Sequence, residues 1–323
     1  MHALPAHQTR SILVLGAGEL GMAVIKALAD HRDLRVTVAL RRTDDTAPSA
    51  RKKQTVETID SLGVEIVYVD TKADSVAKLA QLFSGFDMLI SCLGFASGAG
   101  TQLKLTHAVL QSDLKRYIPW QFGVDYDAIG RGSPQNLFDE QLDVRDVLRG
   151  QTRIQWQIVS TGMFTSFLFE PAFGVVDLRN RVVRALGSWD TAVTVTTPED
   201  IGRLTAQIAS EPPSENPIIF CAGDTLSYGQ LADLVEHLMG SPMRREEWTL
   251  ATLRADLAAN PDDTMRKYRA VFAEGKGVSW DKKRTYNATR GIPVTTVAQW
   301  IERHLAPSAA QHGKRGQSGS RRP

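Results

Sequence analysis

Residues 11–21 read SILVLGAGELG, and this stretch decides the fold. The apolar run Ser11–Leu15 is typical of a buried parallel strand, and a glycine cluster ends it. The cluster has the spacing G-x-G-x-x-G, in which the first glycine permits a tight turn, the second lets a diphosphate approach the backbone, and the third lets a helix pack closely on the strand. A helical pattern follows, whose N-terminus would offer free N–H groups to phosphate oxygens. The sequence therefore predicts a dinucleotide-binding turn made of Gly16, Ala17, Gly18, Glu19, Leu20 and Gly21.

Strands and helices alternate through the first half of the chain. Further strands are predicted at Leu34–Leu40, Val64–Val69, Asp87–Leu93, Arg116–Pro119 and Ile154–Ser160. Helices are predicted at Gln54–Leu62, at Val76–Phe83, at Thr101–Ser112, and from Ser133 as N-cap to Gly150, with residues 43–53 as a loop. This alternation predicts an α/β fold with a doubly wound, Rossmann-type parallel sheet over residues 10–160.

The regular alternation ends after Thr161. Strand-like pieces follow at Arg181–Leu186, Thr191–Thr197 and Pro217–Ala222, and helices at Pro198–Ser210, Tyr228–Met239, Leu250–Ala259 and Val294–Leu305. We interpret residues 161–306 as a smaller C-terminal substrate-binding lobe, some segments of which return to the main sheet.

Composition excludes several classes of protein. The 323 residues are 42% hydrophobic and 23% charged, which is ordinary for a globular protein. No apolar run approaches the roughly 18–20 residues of a membrane span, and the N-terminus lacks the apolar core of a signal peptide. Residues 1–9 are expected to be a leader and residues 307–323 a disordered basic tail. Two distant cysteines, Cys92 and Cys221, exclude a disulfide framework and favour a reducing, cytoplasmic location.

The net charge argues against a nucleic-acid partner. The whole chain carries a formal charge of +2, but the tail from Ala306 onward holds four basic residues and no acid, so the rest carries −2. A body of this charge lacks the basic footprint of a nucleic-acid-binding protein. His107 has no metal-ligating side chains at suitable spacing around it, so no metal is expected. We likewise expect no membrane partner.

The residues after the second strand bear on the choice of dinucleotide. An acid there would hold the ribose 2′-OH of NAD, but this chain has Arg41 and Arg42. A guanidinium fits a 2′-phosphate bidentately, so the sequence favours NADP(H), with two solvated arginines as the alternative. Asp70, Cys92 and Leu93 end the third and fourth strands, where we expect them to line the cofactor. For Cys92, the alternative is simply a small buried side chain.

Hydride transfer to a carbonyl also needs a proton donor or an oxyanion stabiliser. Tyr68 and Lys72 have the Tyr-x-x-x-Lys spacing of short-chain dehydrogenases, but they fall across a strand and a loop, so the match is attributed to chance. Aromatic residues predict a substrate pocket beside the nicotinamide, with Phe122 also bordering the cofactor. They are Trp120, Phe122, Phe164, Phe167, Phe169 and Phe173, the last two of which are better explained as core packing.

Four segments together resemble one family. They are the glycine turn, the arginines after the second strand, Arg116–Asp125 (RYIPWQFGVD) and Thr197–Gly202 (TPEDIG). Over residues 10–305 the chain resembles the NmrA-like, isoflavone-reductase-like branch of atypical short-chain dehydrogenases, in particular the aromatic alcohol reductase group. The resemblance implies a monomeric, NADP-binding Rossmann fold with a small aromatic substrate. It also implies an acid/base lysine, in the pattern Phe-x-x-Lys-x-x-x-Arg.

The chain departs from that pattern at one position. The segment Phe138–Arg145 reads FDEQLDVR, so the family lysine maps onto Gln141. A glutamine amide forms hydrogen bonds but cannot shuttle protons, although it could orient a substrate oxygen. The proton must then come from Tyr126, Asp125 or a water, or the barrier must be low because the acceptor is a reactive carbonyl or quinone-methide-like compound. Tyr126 is our first choice, and its alternative role is that of an amphipathic loop residue.

These observations predict an NADPH-dependent reductase of a small aromatic or conjugated carbonyl-type compound, in secondary metabolism. The missing lysine keeps two alternatives open. One is a non-catalytic, NADP-sensing regulator of the NmrA type, which would bind a protein partner. The other is an enzyme that catalyses a non-redox rearrangement on the same fold.

Overall fold

The computed structural model describes residues 9–41, 49–213 and 217–305. Residues 1–8 of the expected leader, Arg42 and the expected tail lie outside the described residues.

The first half of the chain forms a six-stranded parallel sheet flanked by helices. Its strands pair in the order β3-β2-β1-β4-β5-β6, where β1 is Arg10–Leu15, β2 Leu34–Leu40, β3 Glu65–Tyr68, β4 Met88–Ser91, β5 Arg116–Ile118 and β6 Gln155–Trp156. The helices are α1 (Glu19–Ala29), α2 (Ala50–Ser61), α3 (Val76–Phe83), α4 (Thr101–Gln111), α5 (Tyr126–Ile129) and α6 (Leu137–Arg149). The predicted Rossmann-type α/β fold is therefore confirmed.

The second half adds three smaller strand groups and further helices. Its strands are β7 (Ile158–Ser160), β8 (Met163–Phe164), β9 (Val176–Asp177), β10 (Val182–Leu186), β11 (Ala192–Thr196), β12 (Ile218–Phe220), β13 (Asp224–Ser227) and β14 (Arg244–Trp248). They pair as β12-β7, β13-β11-β8 and β14-β10-β9. Its helices are α7 (Pro198–Ser210), α8 (Tyr228–Met239), α9 (Leu250–Ala259), α10 (Thr264–Glu274), α11 (Tyr286–Thr289) and α12 (Val297–His304).

Each face of the main sheet has its own apolar core. Val24 and Ile25 of α1 share a core with Leu204 of α7, so a helix from the second half covers the same face as the first helix. On the other face, α3, α4 and α6 contribute side chains such as Leu79 and Leu105. This doubly covered sheet explains the apolar runs Ile12–Leu15 and Met88–Ile90 in its central strands β1 and β4. Within the described residues no helix is long and apolar enough to cross a membrane.

Three local predictions were wrong. The strand expected at Ile154–Ser160 divides in two, because the N–H of Gln157 still bonds to Tyr117 of β5 while that of Ile158 turns to Pro217. The helix expected from Ser133 begins only at Leu137, since Ser133 donates its hydroxyl to the Gln135 carbonyl instead of capping a helix. Helix α2 starts inside the loop expected at residues 43–53, where Ser49 caps it by accepting from the N–H of Lys52.

Candidate functional site

The glycine turn leaves open space at one of its three glycines. Gly16 has a φ of +89°, and a Cβ there would meet the Leu93 side chain at 2.7 Å. A Cβ on Gly21 would lie 2.2 Å from the carbonyl oxygen of Gly16. A Cβ on Gly18, by contrast, has nothing within 4 Å. Gly16 and Gly21 are thus required by the turn's own packing, whereas Gly18 leaves the approach to the backbone free.

The N-terminus of α1 faces this free approach. Gly18 is its N-cap residue and supplies no side-chain hydrogen bond, so the positive end of the helix is left for another anion. Glu19 lies in the first turn, and burial and the nearby Glu199 raise its pKa, against a smaller opposing effect of Arg51. The N-terminus of α1 is therefore suited to an anion such as phosphate. The ionised form of Glu19, in the same turn, is disfavoured by its burial and by Glu199.

Arg41 and Asp70 lie together at the carboxyl ends of β2 and β3. The Arg41 Nη2 is 3.8 Å from the Asp70 Oδ2, and the Arg41 side chain is 60% exposed. The Asp70 Oδ1 accepts hydrogen bonds from the N–H groups of Lys72 and Ala73, which together with Arg41 lower the Asp70 pKa. Asp70 thus shapes its own turn, and the largely exposed guanidinium of Arg41 lies near it at the carboxyl ends of β2 and β3.

Cys92 and Leu93 follow β4 directly against the glycine turn. Cys92 is buried, and burial raises the pKa of its thiol, which leaves it unreactive at neutral pH. Leu93 covers Gly16, and its carbonyl accepts a hydrogen bond of 2.8 Å from the Gln102 Nε2. The next residue, Gly94, backs onto the ring of Trp120, since a Cβ there would be 2.9 Å from the indole. This contact links the glycine turn to the aromatic residues after β5.

Those aromatic residues line a cavity of about 330 Å³. Its lining is Phe95, Trp120, Phe122, Gly123, Val124, Tyr126, Phe138, Gly162, Met163, Phe164, Phe167, Met265, Tyr268 and Phe272. Phe169 instead stacks on Trp300, with ring centroids 4.8 Å apart, and the fully buried Phe173 packs against Phe272. None of the described lining residues carries a carboxylate, an amine or an imidazole, so the cavity suits a neutral, apolar ligand.

Two of the residues that line this cavity are tyrosines. Tyr126 is in the short helix α5, not in a loop, and its buried hydroxyl lies so close to Gly123 that a Cβ there would be 2.6 Å away. Tyr268 comes from α10 and was not predicted. Met265, Tyr268 and Phe272 recur at helical spacing, and Asp263 caps the helix, so a signal for this face was present in the sequence.

Gln141 lies in the interior of α6 and does not line the cavity. It has no exposed surface, and neither polar atom of its amide has a partner in the described part of the chain. Within the described chain, only its main-chain carbonyl is engaged by a side chain, accepting a hydrogen bond of 2.9 Å from the Gln121 Nε2. One turn away along α6, Phe138 does line the cavity. The structure thus brings Tyr126 and Phe122 to the cavity and Gln141 to the layer of side chains beside it.

Arg145 holds the segment between β5 and α5. Its guanidinium is fully buried and donates 2.7 Å hydrogen bonds to the Gln121 Oε1 and to the Asp127 Oδ2. It also lies 3.7 Å from Asp125 and over the ring of Tyr126, 5.3 Å from its centroid. All of these partners belong to the segment that carries Phe122 and Tyr126 into the cavity wall. Arg145 is therefore an internal support for that wall.

Comparison with known proteins identifies the family of this chain. The sequence model of the NmrA-like family matches residues 8–300. The chain belongs to the NmrA-like family. It is 46% identical to an NmrA-like family domain-containing oxidoreductase of Gibberella moniliformis, over 90% of this chain and 97% of that protein. It is 26% identical to an isoflavone reductase homolog of Zea mays, over 94% of this chain and all of that protein. The resemblance predicted from the sequence is confirmed.

A solved structure agrees on the fold. The binary complex of leucoanthocyanidin reductase and NADPH from Vitis vinifera matches this NmrA-like protein with a TM-score of 0.76 at 19% identity, over 91% of this chain and 98% of that one. At such low identity the likeness concerns the fold.

The TPEDIG segment has a structural role in this NmrA-like protein. Thr197 caps α7 by accepting from the N–H of Asp200, as its position predicted. The buried Asp200 also pairs with Arg203 and accepts a 2.6 Å hydrogen bond from the N–H of Thr295. The segment therefore anchors α7, which packs beside α1 and the glycine turn.

Proposed function

We propose that this NmrA-like protein is an NADPH-dependent oxidoreductase that reduces a small aromatic or conjugated carbonyl-type compound. The observation that carries the proposal is that an open glycine turn adjoins an aromatic cavity through Leu93, Gly94 and Trp120. The name of the 46% identical relative, an oxidoreductase, also supports it.

The residues around the turn fit a dinucleotide. Gly18 leaves space for a diphosphate, and the uncapped N-terminus of α1 offers it N–H groups and positive charge. The exposed guanidinium of Arg41 is free to reach a 2′-phosphate. The residues we assign to the cofactor are Gly16, Ala17, Gly18, Glu19, Leu20, Gly21, Arg41, Arg42, Asp70, Cys92, Leu93 and Phe122. When bound, NADPH supplies the hydride.

The cavity defines the substrate class. Its volume of about 330 Å³ falls at the lower end of ligand sites, which suits one or two fused rings. Aromatic side chains such as Phe122, Phe164 and Phe167 favour stacked or edge contacts with a conjugated ligand. Because no described lining residue is charged at neutral pH, an ionic substrate would lose its hydration without compensation.

Tyr126 is the residue we assign to the proton. Tyr126 lines the cavity with its hydroxyl against Gly123, and burial raises its pKa, so it is a donor and not a base at neutral pH. We assign Gln141 a positioning role, because an amide has no useful pKa. Its unpartnered oxygen and nitrogen can hold a polar group or a water between α6 and Gln121.

The proposal extends to the setting of the reaction. We propose a cytoplasmic protein of secondary metabolism, because both cysteines are buried and unpaired, as is usual in a reducing compartment. We also propose a monomer, since Tyr68 is the one large apolar side chain exposed among the described residues.

The test follows nicotinamide absorbance. Purified protein is mixed with NADPH and a panel of aromatic aldehydes, quinones and enones, and the products are identified. We expect NADPH oxidation with at least one class, and much slower oxidation by Gly18→Val, whose added side chain fills the space for the diphosphate. Absence of oxidation across the panel despite NADPH binding contradicts the proposal.

One observation favours a second candidate. Gln replaces the family lysine, and no described residue of the cavity lining ionises at neutral pH. A regulator that senses NADP and binds a protein partner needs neither group. It predicts NADPH binding with no turnover. A non-redox rearrangement would instead convert a substrate without consuming NADPH.

A further inference from the structure

The cavity is almost entirely apolar, which makes its few polar atoms conspicuous. Among its described lining residues, the polar side-chain groups are the hydroxyls of Tyr126 and Tyr268 and the indole N–H of Trp120. The two hydroxyls come from separate parts of the chain, α5 in the first half and α10 in the second. The fold, not a local motif, therefore places them on one cavity.

The two phenol rings are held by a common neighbour. Tyr126 packs edge-on against Phe138 with ring centroids 5.0 Å apart, and Tyr268 packs against the same ring at 6.0 Å. Burial raises the pKa of Tyr126, and Tyr268 raises it further. Neither hydroxyl hydrogen-bonds to another group of the described chain. Tyr268 is only half-buried, so its hydroxyl is not sealed from water in the free protein. A ligand oxygen that accepts from both hydroxyls would replace water as their partner.

We propose that Tyr268 and Tyr126 form a paired hydrogen-bond donor site that binds the oxygen of the substrate. The site deepens the proposed function, on which its catalytic role rests. Burial raises the pKa of Tyr268 to about 12 and that of Tyr126 further, so both groups remain donors at neutral pH. Their ligand is an oxygen that accepts hydrogen bonds, a carbonyl above all, attached to an aromatic or conjugated body.

The pair would also act during reduction. When a hydride forms a C–H bond at the carbonyl carbon, the C=O π pair moves to the oxygen. Two preorganised hydroxyl donors stabilise this developing charge. Tyr126 then transfers its proton to the oxygen and recovers one from solvent, so the product is the alcohol. Since neither hydroxyl ionises near neutral pH, the rate should vary little between about pH 6 and 9.

The test measures binding without turnover. The probes are 2-acetylnaphthalene and 2-ethylnaphthalene, which differ by a carbonyl oxygen, titrated into the cofactor-free protein by calorimetry. We expect wild type to prefer the ketone. Tyr268→Phe and Tyr126→Phe should each reduce that preference about 2- to 10-fold, the range of one net hydrogen bond. The double variant should abolish it.

Tyr286→Phe is the matched control, because the Tyr286 hydroxyl bonds to Glu211 at 2.8 Å, away from the cavity lining. It should keep the wild-type preference. Equal affinity of wild type for the two probes, or an unchanged preference in Tyr268→Phe, overturns the proposal. If the preference for the ketone depends on both tyrosines but the protein never oxidises NADPH, the binding site stands and the proposed reductase function is wrong.

Discussion

Gly202 of α7 lies directly against Ala23 of α1. A Cβ on Gly202 would be 2.5 Å from the carbonyl carbon and oxygen of Ala23, nearer than such atoms ever approach. The two helices can therefore meet only because position 202 has no side chain. Glu19 and Glu199 lie in the first turns of these two helices, and Glu199 adds to the effect of burial in raising the pKa of Glu19. Helix α7 thus supports the helix that begins at the glycine turn.

This contact predicts a stability change. Gly202→Ala should lower the free energy of unfolding by about 1–3 kcal/mol, as overpacking does, because the methyl group forces α1 and α7 apart. Urea unfolding of the cofactor-free protein measures the change. Gly85→Ala is the control, since a Cβ there has its nearest contact at an ordinary 3.5 Å. Equal stability of the two variants would contradict the packing argument.

The glycine turn predicts opposite behaviour of two neighbouring substitutions. Gly18→Ala should leave the melting temperature of the free protein nearly unchanged but weaken NADPH binding at least about 10-fold, because its methyl occupies the diphosphate's approach. Gly21→Ala should destabilise the free protein, because its Cβ would meet the Gly16 oxygen at 2.2 Å. Thermal melts and calorimetric titrations measure both effects. Wild-type NADPH affinity in Gly18→Ala would refute the site.

Arg41 predicts the choice of cofactor. Replacing Arg41 and Arg42 together by Ala should weaken NADP binding about 10- to 100-fold, the range of a charge-assisted hydrogen bond, and weaken NAD binding far less. Titration with both dinucleotides measures the ratio. Lys26→Ala, in the last turn of α1, removes a cation away from this edge and serves as the control. Equal losses for NADP and NAD would refute the 2′-phosphate assignment.

Glu19 predicts a pH dependence. Because burial and Glu199 raise its pKa in the folded protein, the stability it contributes is present at low pH and lost as the pH rises through that pKa. Glu19→Gln should therefore stabilise the protein at neutral pH, by an amount that shrinks on acidification, and should strengthen NADPH binding by removing a negative charge near the diphosphate. Urea unfolding at several pH values measures this, with the exposed Glu57→Gln as control. A gain that does not depend on pH would exclude the carboxyl's ionisation as its cause.

Replacing Arg145 and replacing Arg149 should change the free energy of unfolding by unequal amounts, although both side chains contact Asp127. Arg145 is fully buried, whereas the Arg149 side chain is 42% exposed. Arg145→Met should cost about 3–5 kcal/mol, because it leaves Gln121 and Asp127 without their buried partner. Arg149→Met should cost at most about 1 kcal/mol, as for an exposed ion pair. Similar losses in chemical denaturation would show that the buried network is not a support.

Some elements could be predicted from the sequence because their signals are local. Helices α3, α7, α8 and α9 have the bounds that apolar spacing and cap residues predicted. Strand β1 and the glycine turn also follow from a short run of residues. The sixth strand was misjudged, because its division depends on Pro217, a residue far along the chain. No local pattern distinguishes a strand that keeps its neighbour from one that changes it.

The site was predictable only in part for the same reason. Phe122, Phe164 and Phe167 were expected near a substrate, but Tyr268 was not, because the charged residues of α10 obscured its apolar face.

The amino-acid sequence by itself determined the Rossmann-type sheet, the glycine turn and the family, since each depends on residue order over short stretches. Only the tertiary structure decided that Gln141 is enclosed, that Arg145 supports the cavity wall, and that Tyr126 and Tyr268 share one cavity. Burial and convergence depend on which distant segments pack together, and the spacing of residues along the chain does not encode those contacts directly.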